Sequence, residues 1–306
     1  MNTKTDKLLE SLNVFIQKAE ESEREKLMES VPDFPGLSKI PNFVEEYEKG
    51  IAKLLRRQRK KFLDGLKGFV SKDSKETLEA LLVFFTHNLF AEDEFEEEFQ
   101  ELTKGFLQQT IEELAVVIMD SIDPEVPFKV LSNRTINWIK DWSKKLARIM
   151  KLNTHEAVEN VLTDAIENGI SIQDIELTLK DLPQFDRERA RTTAITEVLA
   201  ASSAAQHESY AQSPAVKKKK WRHSGNKKNN PRENHIELDG TVIGVDEEFQ
   251  IPGSSETCMF PRDPKLSAGE RVHCHCVLSP VVDNEILGLS PEEKEVIRRE
   301  ALANIV

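Results

Sequence analysis

The sequence predicts an α+β fold: a long helical N-terminal region, then a domain of helices packed on a small antiparallel β-sheet. Three observations carry this. Apolar residues recur at helical spacing from the N-terminus to about Tyr210. From Lys217 the spacing shortens toward two, and Gly and Pro punctuate the chain. All three cysteines (Cys258, Cys274, Cys276) and four of the seven histidines (His223, His235, His273, His275) lie in that last third.

Taken in order, Leu8, Leu9, Leu12, Phe15 and Ile16 predict a helix over residues 1–30, and Pro32, Pro35 and Pro41 break the chain after it. Ile51, Leu55, Phe62, Leu66 and Phe69 mark the next helix. Leu78, Leu81, Leu82, Phe85 and Phe90 continue the pattern, as do Phe106, Leu107, Ile111, Leu114 and Ile118, until Asp123-Pro124 and Pro127. A helix over Asn133–Lys151 carries Ile136, Ile139, Trp142, Leu146 and Ile149. A second, with Ala157, Val158, Val161, Leu162, Ala165 and Ile166, stops at Asn168-Gly169. Ser171 caps a short helix that Pro183 ends, and Asp186 opens an alanine-rich one.

Beyond Lys217 the elements are strands. Trp221 sits in one behind four lysines. His235–Leu238 and Thr241–Gly244 flank Asp239-Gly240, a strong short hairpin signal. Pro252-Gly253 and Pro261–Pro264 make a loop. Arg271–Leu278 is a last strand that Pro280 ends, and Ser290-Pro291-Glu292-Glu293 is a capping box opening a helix to Val306. The organisation read from this is 1–150 helical and partner-docking, 151–282 the site-bearing domain, and 283–306 a C-terminal helix.

Composition narrows the classes. With 39% hydrophobic and 31% charged residues, long exposed helices are favoured over one thick core. No run of about 18 apolar residues exists, so no membrane-spanning helix is expected. The N-terminus lacks the apolar stretch of a secretory signal, so the expected setting is a cytoplasm that keeps the thiols reduced. A net charge of −12 argues against generic nucleic-acid binding by the whole chain. The charge comes in blocks, however: basic over Lys49–Lys75, acidic over Glu92–Glu101, and basic again in Lys217, Lys218, Lys219, Lys220, Arg222, Lys227, Lys228 and Arg232. The last block could neutralise phosphates in a sequence-independent, salt-sensitive way, or simply protect a strand edge.

In a strand, Cys274 and Cys276 share one face and His273 and His275 the other. Two thiolates at that spacing could supply half of a tetrahedral zinc site, completed by His235 and either Cys258 or His223. Small thiols facing a thin core would look the same. A metal-dependent hydrolase or nuclease is a further alternative, with Glu237 or Asp239 as base beside His235, as is a zinc-stabilised DNA-binding module. No His-Glu-x-x-His and no glycine-rich phosphate loop is present, and the prediction is a protein that is not an enzyme.

The order Asn168-Gly-Ile-Ser171, Thr196-Glu197, Trp221, His235-x-x-Leu-Asp239-Gly240, Phe249, Pro261-x-x-Pro264 and Cys274-His-Cys276 resembles the phage Mu F-like minor head proteins, or head morphogenesis proteins, over residues 155–282. Where that family ends Asn-Cys-Arg-Cys, this chain has His273 and His275, losing a fixed positive charge. The resemblance implies a virion component that associates with the portal and with capsid or scaffold proteins. Such a protein is made in the host cytoplasm, enters the head, and assists procapsid assembly and genome packaging or ejection. Contact with packaged DNA is an expectation of the same reading, while zinc is expected only from the cysteine and histidine pattern.

Overall fold

The computed structural model describes residues 4–68 and 75–303, and its architecture is α+β. Seven helices come first: α1 (Lys4–Ser30), α2 (Ile40–Lys67), α3 (Lys75–Phe84), α4 (Phe95–Ile122), α5 (Asn133–Asn168), α6 (Ile172–Lys180) and α7 (Arg187–Gln212). The remainder alternates β1 (Val216–Arg222), α8 (Glu233–Glu237), β2 (Val242–Gly244), β3 (Phe249–Gln250), β4 (Thr257–Cys258), α9 (Ala268–Arg271), β5 (Val277–Val282), α10 (Asn284–Leu287) and α11 (Pro291–Ala303). Phe69 and the end of the terminal helix at Val306 lie outside the described residues.

The helix boundaries follow capping chemistry. Ser132 and Ser171 accept backbone N–H groups of α5 and α6, and Asp186 accepts Arg189 N at 2.9 Å to open α7. Ser290 and Glu293 form the capping box of α11. Pro41, expected to break the chain, instead occupies the first turn of α2, where a missing N–H costs nothing. Asn133–Asn168 is one helix of 36 residues rather than two, since neither Gly nor Pro interrupts it before Gly169, which closes it at φ 65°. Residue 150 therefore falls inside α5. Ile136 and Ile149 are exposed, and the inward face of α5 is Ile139, Trp142, Leu146, Met150, Val158, Leu162 and Ala165.

The chain forms two compact units from interleaved segments. One comprises Val44–Glu112 and Val130–Val198. Its core joins Phe62 and Leu66 of α2, Leu78 and Leu81 of α3, Phe85 and Leu89, Val158, Leu162 and Ala165 of α5, and Ile175 and Leu179 of α6. Burying each large side chain contributes roughly 1.5–3 kcal/mol before entropy is counted. Gly65 permits the closest approach, because a Cβ there would lie 2.4 Å from Leu89 Cδ1.

The other unit comprises Met1–Phe43, Glu113–Lys129 and Leu199–Asn304. It holds a three-stranded antiparallel sheet of order β2-β1-β5 and the small β3-β4 pair. The sequence showed no signal for that pair. Pro280, expected to end the last strand, sits within β5 opposite Lys219. An edge strand tolerates proline because its outward N–H has no ladder partner. From Leu199 to Tyr210, α7 is buried on all sides, which its small Ala and Ser residues allow. Its Gln206 side chain accepts Leu278 N at 3.0 Å and Tyr210 OH donates to Leu278 O at 3.4 Å, covering the open edge of β5.

Candidate metal centre

His235 and Leu238 are one helical turn apart, which directs both inward from α8; each is buried, while Ile236 between them is exposed. The expected hairpin is therefore absent. Asp239-Gly240 does turn, with Gly240 at φ 80°, but it joins α8 to β2, and the partner of β2 is β1. Gly240 N donates to Trp221 O at 2.9 Å and Trp221 N to Thr241 O at 3.0 Å, so the turn is held by β1. A helix also dissolves the shared face of His235, Glu237 and Asp239. Glu237 and Asp239 are exposed, and Asp239 accepts His223 N at 2.8 Å. No carboxylate of that face is buried beside His235 to act as a hydrolytic base.

The strand expected over Arg271–Leu278 begins only at Val277. Arg271 closes α9, and His273 takes a left-handed backbone at φ 58°, as does Arg262 at φ 65°. Such conformations cost roughly 1–3 kcal/mol each outside glycine and persist where the surroundings hold them. Cys274 and Cys276 nevertheless bring both sulfurs to one side. Cys274 Sγ lies 3.6 Å and Cys276 Sγ 3.7 Å from His235 Nδ1, and the three donor atoms all lie within 4.8 Å of one another. Cys258, in β4, is buried but is not a member of this cluster, and burial pushes its thiol well up. With the three donors, His223, His273 and His275 line a cavity of about 10 Å³, room for about one water-sized ligand.

Charged groups are arranged around the sulfurs. Arg262 is fully buried and donates from Nη1 to Cys274 O at 2.7 Å, with Cys274 Sγ 3.8 Å away. Its Nη2 donates to Leu199 O at 2.8 Å and Ser203 Oγ at 2.6 Å. The hydrogen bond from Cys276 holds Cys274 well below the usual thiol value against the effect of burial, with His235 and Arg262 adding to it. The same bond, and burial, push Cys276 up, so the two thiols titrate as a pair. On the far side of the imidazole, His235 Nε2 lies 2.8 Å from Glu270 Oε2, and Asn234 Nδ2 donates to Glu270 Oε1 at 3.0 Å. Burial, then Arg262, drops His275 to about 4.

Residues 156–279 match the model of the family described as Phage Mu protein F like protein. The whole chain is similar to the uncharacterized protein YqbB of Bacillus subtilis (strain 168), 88% identical over 302 residues and 99% of each chain. The chain belongs to the phage Mu F-like family. It is also 30% identical over 158 residues to the NAD(+)–arginine ADP-ribosyltransferase EFV of Enterococcus faecalis (strain ATCC 700802 / V583). That match takes in 50% of this chain but only 30% of the transferase. No solved structure matches the chain.

In this Mu F-like protein the motif residues separate into two groups. Trp221, His235, Asp239, Gly240, Cys274 and Cys276 gather in one unit, with the buried Trp221 ring edge-on to His235 at 5.5 Å. Thr196 and Glu197 lie in the other, where Glu197 accepts Trp142 Nε1 at 2.6 Å and Thr196 Oγ1 donates to Thr192 O at 2.8 Å. The basic block also divides. Lys217, Lys218, Lys227 and Lys228 are exposed and Lys220 half-buried. Lys219 is fully buried with Nζ over the Phe249 ring at 5.5 Å, which removes it from any phosphate-facing set. Arg222 donates to Asp33 O at 3.0 Å and Arg232 to Val272 O at 2.6 Å, so both brace the fold. Sequence reasoning missed Glu270, Asn234 and Arg262, which sit in aperiodic stretches. The only sequence signal was a buried-type pattern broken by charge close to the cysteines.

Proposed function

We propose that this protein is a non-enzymatic minor component of a phage head, acting at the portal in procapsid assembly and in packaging or ejection of the genome. The observation that carries this is the Mu F-like match over residues 156–279. In this reading residues 151–282 supply the head-morphogenesis part and 283–306 a closing helix. The helices of residues 1–150 supply the docking surface for portal, capsid or scaffold proteins, as amphipathic helices commonly do. The exposed lysines Lys217, Lys218, Lys227 and Lys228, with the half-buried Lys220, would contact packaged DNA through its phosphates. The protein would pass from the host cytoplasm into the virion, consistent with the lack, among the described residues, of any helix long and apolar enough to cross a membrane.

The test is co-expression of the whole chain with the portal protein encoded beside it, followed by sedimentation and by probing purified particles for the chain. Co-sedimentation with portal rings and a few copies per particle are expected. Absence from both rings and particles would refute the reading.

A further inference from the structure

We propose that His235 Nδ1, Cys274 Sγ and Cys276 Sγ bind one zinc ion, with Glu270 orienting the imidazole. The fourth coordination position opens on the cavity lined by His223, His273 and His275. This goes beyond the role in the phage head and stands or falls independently of it.

Four observations carry the site. The first is distance. Tetrahedral zinc with Zn–S of about 2.3 Å and Zn–N of about 2.0–2.1 Å places nitrogen and sulfur about 3.6 Å apart. The two separations here are 3.6 and 3.7 Å. Hydrogen-bonded thiols could give similar distances, so the remaining observations decide.

The second is the imidazole's other nitrogen. Nε2 lies 2.8 Å from the Glu270 carboxylate, and Asn234 holds that carboxylate in turn. The two atoms are in ion-pair range without the alignment of a hydrogen bond; with zinc bound, a proton on Nε2 turned toward Glu270 would leave the Nδ1 lone pair facing both sulfurs, the arrangement by which outer carboxylates orient metal-bound histidines. The third is charge: two thiolates cancel a divalent ion, and the fully buried Arg262 guanidinium, which donates to Cys274 O, lies beside the sulfurs and favours their charged form. The fourth is chemistry: two sulfurs and an imidazole select zinc over magnesium or calcium, which take oxygen donors. The ion would tie α8 to residues 272–276, a stretch with no ladder or helix of its own beyond the turn at Val272–His273.

The test uses the full chain, reduced, stripped with EDTA, desalted and titrated with Zn²⁺. Elemental analysis is expected to give about one zinc per chain. Co²⁺ in its place should give tetrahedral d–d bands and a thiolate-to-cobalt charge-transfer band. Cys274→Ser and Cys276→Ser should each abolish that spectrum, while Cys258→Ser leaves stoichiometry and spectrum unchanged. Glu270→Gln should weaken zinc binding about 10–100-fold. Less than about 0.1 zinc per chain after loading, a cobalt spectrum without the thiolate band, or loss of the site in Cys258→Ser would overturn the proposal. Should a cysteine variant fail to fold, the cobalt spectrum of the natural sequence still decides.

Discussion

Each compact unit buries one histidine against one carboxylate, and the two pairs differ in what the rest of the imidazole meets. In the helical unit His155 Nε2 lies 2.7 Å from Asp93 Oδ2, and its ring stacks on Phe90 at 4.1 Å between centroids. Asp93 also accepts Gln58 Nε2 at 2.6 Å and caps α4 through Phe95 N at 3.3 Å. Every group there serves packing or a helix end. In the sheet-bearing unit the carboxylate contact is nearly the same length, but the opposite nitrogen faces two sulfurs. One buried His–carboxylate pair is thus enclosed by packing groups, and the other presents its second nitrogen to soft donors.

The comparison is open to test, beginning with the largest expected effect. Zinc at about 1,000 times its dissociation constant should stabilise the protein by about 4 kcal/mol, read as a higher urea midpoint. Asp93→Ala should keep that increment and Cys274→Ser should lose it. An equal loss in both would erase the distinction between the two pairs.

Asp93→Ala itself should cost about 3 kcal/mol, since it strands His155 and Gln58 and removes a cap. The pair also makes a pH prediction. Burial tends to raise Asp93, but hydrogen bonds from His155 and Gln58 outweigh it and hold the carboxyl below its usual value. A lowered folded value means stability that is whole above the unfolded carboxylate value of about 4 and is lost as pH falls through the folded one. Urea midpoints of Asp93→Asn should therefore fall less steeply than wild type over that acid range. Parallel curves would contradict the assignment.

Smaller effects separate the lysines. Lys219→Ala should cost about 1–2 kcal/mol through lost packing on Phe249. Lys217→Ala, Lys218→Ala and Lys220→Ala should leave the urea midpoint within about 0.5 kcal/mol. Each should lower the salt slope of any DNA binding by about 0.9. An unchanged slope in the triple variant would remove the block from DNA contact. Least of all, Ser171→Ala should cost about 1 kcal/mol by uncapping α6, with zinc affinity unaffected.

The helical unit was nearly legible in advance because helix cues are local. Ser171, Asp186 and Gly169 act within one turn of themselves, and Ile139, Leu146 and Leu162 repeat at helical spacing. Failures came where one residue satisfied two patterns. His235 and Leu238 fit a strand beside Asp239-Gly240 as well as a helical turn, and long-range pairing of β1 with β2 chose the turn. Pro280 reads as a strand end unless it is known that β5 lies at the sheet edge.

Composition, capping residues and the ordered Trp221, His235, Asp239-Gly240 and Cys274-x-Cys276 were enough to indicate an α+β fold, a Mu F-like domain and a donor set of His235, Cys274 and Cys276 with Cys258 or His223. Which sulfurs lie beside His235, the place of Cys258 outside that cluster, the interior place of Lys219 and the positions of Glu270 and Arg262 came only from the folded chain. Those features depend on contacts between residues far apart in sequence, where distance and burial, rather than spacing, decide which groups meet.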